Sequence, residues 1–421
     1  MAVSGGVDSS VAALLLRQNS RNEVVGLHMN NWNHDDEDNS PTHECSEKDR
    51  NDALAVCQKI DIPFHEASFA AEYWTGVFEP YVSAIQKGQM PNPDINCNSL
   101  IKFGAMRDYA RGRLGAEFVA TGHYARLWDR SISQLPHDAV EGLESKGDVE
   151  WLFSWGAKDS PLLLAGADKR KDQSYFLAGV NGESFRNVLF PLGDSHKSGG
   201  EKNVRAIAAE AELPTAQKRD STGICFIGKR RFEDFISQYL PEPPVPGNFV
   251  CVDTGGTVGR HNGSMHYTIG QGARIGGSSE KWFVVERPPA DLSTVFVCAG
   301  THHPALYSDS LTVENVNWIG GDLPVPLART GRLQATCRTR HLQPLLACEI
   351  RLRDNGKCSV EFERPVRAIT PGQMAVFYIS DVCLGGGTIL ERGLSYHERR
   401  MDLPQHVHPS GHNDTSRHQV A

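Results

Sequence analysis

Apolar and polar positions along this chain follow two rhythms, and the change between them falls near residue 241. Ahead of that point, strand-like and helix-like runs alternate. A solid apolar stretch from Val11 to Leu16 follows a glycine turn within residues 8–18, and residues 23–29 read as a buried strand. Residues 34–41 read as an acidic loop. Over 47–60 the apolar positions Ala53, Leu54, Val56, Cys57 and Ile60 keep close to helical period. Trp74, Val77, Phe78, Tyr81, Val82 and Ile85 repeat the i, i+3, i+4, i+7 spacing of an amphipathic helix. Ile101, Phe103, Met106, Tyr109 and Ala110 predict another helix, with a strand after it at 117–121. The alternation predicts a doubly wound α/β domain around a parallel sheet.

Residues 128–150 are polar and aperiodic and read as a surface insertion. The Pro-rich stretch at 241–247 marks a break. Beyond it the chain is rich in Val, Thr and Gly, with short alternating runs such as 281–286, 294–297 and 374–380, which predict small β-barrels. From residue 396 onward, His, Ser, Arg and Asp dominate, the composition of a disordered tail. No internal repeat is visible.

Composition narrows this picture. A chain of 421 residues exceeds what one hydrophobic core serves, so two or three domains are expected. Hydrophobic residues at 39% and charged residues at 22% are ordinary for a water-soluble globular protein. No apolar run approaches the roughly 20 residues that span a bilayer. The formal net charge of −8 means that any RNA site is a local basic surface on an acidic body. The 10 cysteines lack the paired spacing of a zinc site. Cys57 on a helix face and Cys298, Cys348 and Cys383 in strand-like runs read as small buried hydrophobes.

Three motifs carry chemistry. Ser4-Gly5-Gly6-Val7-Asp8-Ser9-Ser10 opens an apolar helix. A glycine pair lets backbone N–H groups close on an anion, and the helix start adds a positive dipole end. Ser4, Ser9 and Ser10 add hydroxyl donors, and Asp8 suits a magnesium ion. An ordinary capped Gly-Gly turn is the competing explanation. The string is not a Walker A loop, because no Gly-Lys-Ser/Thr follows. Asn92-Pro93-Asp94-Ile95-Asn96-Cys97-Asn98, followed by Ile101-Lys102-Phe103, is the second motif. It places Cys97 after a strong turn signal, at the start of a helix, where a thiolate is stabilised. Asp94 lies close enough to share the site. The third is Asp220-Ser221-Thr222-Gly223-Ile224-Cys225-Phe226-Ile227-Gly228, followed by Lys229-Arg230-Arg231. Glycines flank Cys225, and the basic triplet favours a thiolate or persulfide.

The first string resembles the pyrophosphate loop of N-type ATP pyrophosphatases. Taken with Ala120-Thr-Gly-His-Tyr-Ala-Arg126, Lys171-Asp-Gln-Ser-Tyr-Phe-Leu177, Tyr267-Thr-Ile-Gly-Gln271, His303-Pro-Ala-Leu306, Arg338-Thr-Arg-His341, Pro371-Gly-Gln373 and Val382-Cys-Leu-Gly-Gly-Gly387, the chain resembles the MnmA/TRMU family of tRNA-specific 2-thiouridylases over nearly its whole length. The resemblance implies an N-type ATP pyrophosphatase domain at 1–218, a small central tRNA-contacting domain at 219–300, a C-terminal β-barrel at 301–395 and a tail at 396–421. It implies ATP contacts from Ala2, Val3, Ser4, Gly5, Gly6, Val7, Asp8, Ser9, Met29 and Gly122, with Asp8 on Mg. It further implies catalytic Cys97, Cys225 and Asp94, with Cys225 carrying a persulfide. Asn92, Pro93 and Asp94 would face the target base, and His123, Lys171, Asp172, Gln173, Arg340, His341 and Gln373 would touch tRNA.

Some positions depart from the family. Gly270-Gln271-Gly272-Ala273 lacks the Arg that follows Gln in many members, His341 stands where tyrosine is common, and the first strand is cut to Ala2-Val3, which suggests a missing start. Implied partners are the anticodon loop of Lys, Glu and Gln acceptor tRNAs and a persulfide sulfur-donor protein, with no membrane. The Met-Asn-Asn-Trp and Gly-Ala-Arg-Ile-Gly-Gly stretches resemble eukaryotic members, which implies mitochondria, with the bacterial cytoplasm as the alternative. A pyrophosphatase-loop synthetase, which would need no cysteines, and a catalytically dead RNA-binding module are the rival functions.

Overall fold

The computed structural model describes residues 1–19, 23–32, 41–129, 150–157, 160–199, 203–220, 232–240, 242–277 and 280–404, with side chains from 46 onward in the second helix. The expected acidic loop at 34–41 and insertion at 128–150 fall largely outside these residues, and so does Cys225 with its basic triplet.

In chain order the strands are β1 (Gly26–Asn30), β2 (Phe64–Ser68), β3 (Val119–Ala120), β4 (Ala125–Trp128), β5 (Leu162–Ala165), β6 (Val188–Leu189), β7 (Gly247–Cys251), β8 (Thr257–His261), β9 (Trp282–Glu286), β10 (Thr294–Ala299), β11 (Tyr307–Trp318), β12 (Arg332–Arg338), β13 (Leu346–Leu352), β14 (Cys358–Arg367), β15 (Met374–Ile379) and β16 (Val382–Arg392). The N-terminal sheet is parallel. β1 pairs with β2, β3 with β6, and Ala2 bridges to Leu27 while its N–H donates to Ala120 O at 2.8 Å. Residues 1–3 are therefore the central strand, between β1 and β3, and the spatial order reverses there. In a doubly wound sheet, a crevice for ligands opens at that reversal, beyond the carboxyl ends of the strands.

The helix Val7–Asn19 starts at this crevice and buries Val7, Val11, Ala12, Ala13 and Leu14. Two later helices contain π segments, Trp74–Phe78 and Cys97–Ala105, which apolar periodicity does not distinguish from α-helix. Each holds a hydroxyl that bonds back four residues and a glycine. Thr75 Oγ1 donates to Ala71 O and Ser99 Oγ to Ile95 O, both at 3.1 Å, beside Gly76 and Gly104. A hydroxyl competing for the i−4 carbonyl loosens the α ladder, and the wider i→i+5 turn takes its place.

The middle domain is a four-stranded sheet in the order β8-β7-β10-β9. The C-terminal barrel runs β11-β14-β13-β12-β15-β16 and closes through β11–β16. The hairpin β4–β5, from the N-terminal region, adds to the barrel sheet through Val382↔Leu164 and Cys383↔Leu163. Trp128, which the polar pattern places at the head of a surface insertion, is instead a buried strand residue, 2% exposed. Trp128, Trp155 and Leu162–Leu164 share one apolar core with Phe377, Val382 and Leu384 of the barrel. The barrel and the N-terminal region thus share one apolar core.

Residues 395–401 correct the expected start of the tail. Tyr396 is buried, its N–H donates to Tyr307 O at 3.0 Å, and Arg399 pairs with Asp309 at 2.9 Å. Residues 405–421 lie outside the described set.

Candidate active site

The glycine loop of the first motif forms because Ala2 and Val3 are locked into the sheet and Gly5 then takes φ +73, a left-handed conformation that favours glycine. A Cβ on Gly5 would lie 2.1 Å from Asp49 O. Gly122, just past β3, meets the loop from the other side, where a Cβ would lie 2.9 Å from Ser9 N. The N–H groups of Val7, Asp8 and Ser9 begin the helix beside the crevice and have no intrahelical acceptor. Ser4 Oγ and Ser9 Oγ lie 3.1 Å apart at its rim. Ser10 does not join them. It is 1% exposed, donates to Gly6 O at 2.8 Å and accepts from Thr215 at 2.9 Å, so its hydroxyl braces the loop from beneath.

Asp8 is aimed by two residues that no local sequence pattern announces. Tyr124 Oη and Lys197 Nζ both donate to its Oδ1, at 2.7 and 2.6 Å. Lys197 is buried and reaches Asp220 Oδ1 at 3.0 Å, and Asp220 also receives Lys171 and Arg205 at 2.9 and 2.6 Å. Partial burial works against the Asp220 carboxylate, yet the hydrogen bonds from Lys171 and Lys197 bring it down to about 2. Lys218 donates to Gly5 O at 2.9 Å while paired with Asp49 and Asp52 at 2.7 and 2.5 Å, which ties the loop to the second helix. Met29, on β1, packs at the edge of the core cluster that also holds Cys97 and Val119.

The second motif folds as a capped helix start. Asn92 Oδ1 accepts from Asp94 N at 3.0 Å, and Pro93 occupies the first helical position, where it needs no N–H partner. Cys97 comes after this first turn, at the head of the π segment, and is buried. That corrects the expected thiolate stabilisation, because a helix dipole acts only within the first turn. Burial pushes the Asp94 carboxyl up, with Lys102 opposing. The i→i+5 register carries Lys102 back toward the face of Cys97, whereas an α-helix would rotate it about 140° away. Lys102 follows the motif in sequence, where no spacing rule gives it a role. Its charge acts on Asp94 and on His123, whose imidazole burial holds well below its ordinary value. His123 Nδ1 lies 2.6 Å from Thr121 Oγ1, between the rings of Phe103 and Phe190.

The remaining expected RNA contacts gather at the seam between the sheet and the barrel. Asp172 is fully buried. Its carboxylate accepts from Gly166 N and Ser174 N at 3.0 Å each, from Ser174 Oγ at 3.0 Å and from Arg338 at 3.2 Å. Its side chain therefore holds the seam and presents nothing to a surface. Gln173 Oε1 accepts from Tyr124 N at 3.0 Å, and His341 Nε2 lies 2.8 Å from Asp172 O. Arg340 ties the middle domain to the barrel, donating to Ile269 O, Ala368 O and Thr370 Oγ1 at 2.5, 3.0 and 2.7 Å. Burial lowers it to about 10. Gln373 Nε2 donates to Met90 O. Lys171 keeps 40% of its side chain exposed while it pairs with Asp220.

Every cysteine whose side chain is described is free, and Cys57, Cys298, Cys348 and Cys383 are buried as expected. No helix among them is long and apolar enough to cross a membrane.

Family models match the whole architecture. One described as a tRNA methyl transferase HUP domain covers residues 1–229, a tRNA methyl transferase PRC-barrel domain covers 233–299, and an aminomethyltransferase beta-barrel domain covers 308–389. The chain is 43% identical over 398 residues to the human mitochondrial tRNA-specific 2-thiouridylase 1, covering 94% of this chain and 90% of that one. It is 44% identical over 400 residues to the tRNA-specific 2-thiouridylase MnmA of Psychrobacter sp. (strain PRwf-1), covering 92% of this chain and 91% of that one. The chain belongs to the tRNA-specific 2-thiouridylase family. The chicken mitochondrial tRNA-specific 2-thiouridylase 1 is 42% identical over 404 residues, covering 94% and 92%. For this thiouridylase family member, the HUP model spans both the Ser4–Ser10 string and the segment that contains Cys225.

Proposed function

We propose that this protein replaces the 2-oxygen of a tRNA uridine with sulfur, using ATP to activate the oxygen and a cysteine persulfide as the sulfur source. The supporting observation is the phosphate cradle at the strand-order reversal, with Asp8 fixed by Lys197 and Tyr124 and the helix of Cys97 packed on the same strands. A uridine 2-oxygen is a poor leaving group, and transfer of AMP to it makes AMP the group that departs. The N–H groups of residues 7–9 would hold the phosphates and stabilise the charge of the leaving pyrophosphate. Asp8 Oδ1 is taken by protein donors, so Oδ2 is the oxygen left for a divalent cation. A magnesium ion there would supply charge neutralisation to the pyrophosphate.

Asp94, whose carboxyl burial pushes up against the opposing charge of Lys102, is the proposed proton carrier. The terminal sulfur of a Cys225 persulfide attacks C2 and AMP leaves with the C2–O bonding pair. Cys97 thiolate then attacks Cys225 Sγ. The S–S bond to the nucleoside breaks, 2-thiouridine departs with its sulfur, and a Cys97–Cys225 disulfide remains for an external thiol to reduce. In the other order, Cys97 attacks before transfer and releases a sulfide nucleophile. The target base leaves its stack to be reached, which suits the wobble position of Lys, Glu and Gln acceptors. A persulfide-donor protein would load Cys225, and mitochondria are the proposed compartment. Mass spectrometry of tRNA nucleosides after incubation with ATP and a sulfur donor tests the activity. Cys225→Ser should accept no sulfur, and Cys97→Ser should load but not deliver it. Normal 2-thiouridine from Cys97→Ser would remove Cys97 from the mechanism.

A further inference from the structure

The helix Met106–Arg113 continues directly from the π segment of Cys97 and ends before β3. Its C-terminal half lies at the amino ends of the strands, the pole opposite the phosphate loop. There a cleft of about 630 Å³ is lined by Arg107, Arg111, Glu183, Ser184, Arg186 and Asn187. Arg107 and Arg111 are four apart on one helix, so they share a face.

Arg186 is held rigidly across from them. Phe185 and Val188 on either side of it are buried, and Asn187 takes φ +57, which turns the chain sharply between Arg186 and β6. The cations outnumber their partners. Arg186 donates to Glu183 at 3.2 Å, Arg107 reaches only its neighbour Asp108 at 3.7 Å, and Arg111 is exposed with no ion pair among the described residues. Arg107 and Arg186 also bury Nε atoms that lack a hydrogen-bond acceptor. Burial first, and then Arg111, lower the Arg107 guanidinium, with Asp108 and Glu183 opposing them.

We infer that this cleft binds the phosphodiester backbone of the tRNA substrate at a second site, remote from the reacting base; the inference rests on the activity proposed above. Guanidinium groups match phosphate oxygens in a bidentate fork. No aromatic or large apolar side chain lines the cleft, so nothing there stacks a base, and the contact reads charge and spacing instead. The helix from residue 97 to residue 111 sets the separation at roughly 20 Å. That is on the order of six phosphates along one strand of a duplex, so a stem continuing from a loop whose uridine sits at Cys97 can reach it. On a chain of net charge −8, such a patch also gives the approaching RNA an orientation.

The test is equilibrium binding of unmodified tRNA to the full chain between 50 and 200 mM salt, with Arg111→Gln and Arg186→Gln beside wild type. Each variant should weaken binding about tenfold at low salt and reduce the slope of log affinity against log salt by about one. ATP affinity and the thermal midpoint should hold, and Arg111→Lys should recover most of the slope. Equal slopes and affinities in wild type and both variants would overturn the inference. Competition by millimolar inorganic phosphate with tRNA slopes unaltered by the variants would assign the cleft to small anions and overturn it too. Loss of sulfur-donor docking with tRNA binding intact would assign the cleft to a protein partner and likewise overturn it. Wild-type protein that binds tRNA but forms no 2-thiouridine would refute the activity and leave the binding comparison standing.

Discussion

At the start of the first helix, Asp8 gives one carboxylate oxygen to Lys197 and Tyr124 and keeps the other clear of protein donors. At the seam with the barrel, Asp172 gives both oxygens to Gly166, Ser174 and Arg338 and keeps none. Both carboxylates sit in ordered polar surroundings, and both stand in motifs that resemblance alone treats as ligand contacts. The difference lies in what remains unspent. A side chain with a free lone pair aimed at open space can do chemistry, whereas one enclosed by donors sets the geometry of its neighbours. A motif residue is thus assigned to ligand or to scaffold by counting its partners.

The largest test of this contrast is Arg338→Ala. It strands the buried Asp172 charge and should cost about 3–5 kcal/mol of unfolding free energy, read by chemical denaturation. A loss below about 1 kcal/mol, the scale of an exposed pair, would break the contrast. Next is Gly5→Ala, whose Cβ would collide with Asp49 O in a backbone conformation that already favours glycine. It should cut AMP and pyrophosphate formation at least about a hundredfold, the scale of misplacing an oxyanion donor, with the protein still folded. Undiminished cleavage would show that the loop does not hold the phosphates.

Arg340→Ala is smaller. Leaving three acceptors between the middle domain and the barrel without their donor should cost about 1–3 kcal/mol and lower the unfolding midpoint. An unchanged midpoint with weakened tRNA binding would return Arg340 to the RNA surface. The smallest concerns His123, whose imidazole is held well below its ordinary value by burial and then by Lys102. The unfolded state takes up a proton as pH falls through about 6.5 while the folded state does not, so this stability is complete above that pH and declines below it. His123→Phe should remove up to about 1.4 kcal/mol per pH unit from the acid-side slope. Identical slopes would mean that His123 charges freely in the folded protein.

Legibility in the sequence followed the range of the interaction. The loop from Ser4 to Ser9 and the Asn92 cap were readable because each is built from neighbours in the chain. Lys197, Lys218 and Tyr124 were not, because their partners are fixed only when the sheet assembles and no spacing rule connects them to Asp8 or Gly5. The two π segments kept the apolar spacing of an α-helix. Their clue was the pairing of Thr75 with Gly76 and of Ser99 with Gly104, which periodicity ignores. The strand β4 was missed because Arg126 and Asp129 bracket its apolar residues. Arg126 finds its partners far along the chain, donating to Ala165 O at 2.9 Å and to Asp381 at 2.8 Å and pairing with Asp194 at 3.8 Å.

That hairpin has a consequence for synthesis. β4 and β5 leave the ribosome long before β16, their partner in the barrel sheet. Until β16 arrives, the hydrogen-bonding edge of β5 has no cover, and an open edge is a template for pairing with other chains. Pairings so distant in sequence also form slowly, because loop closure precedes any return from contact. A fragment ending before the barrel would carry that exposure permanently, so such truncations should aggregate where the intact chain stays dispersed.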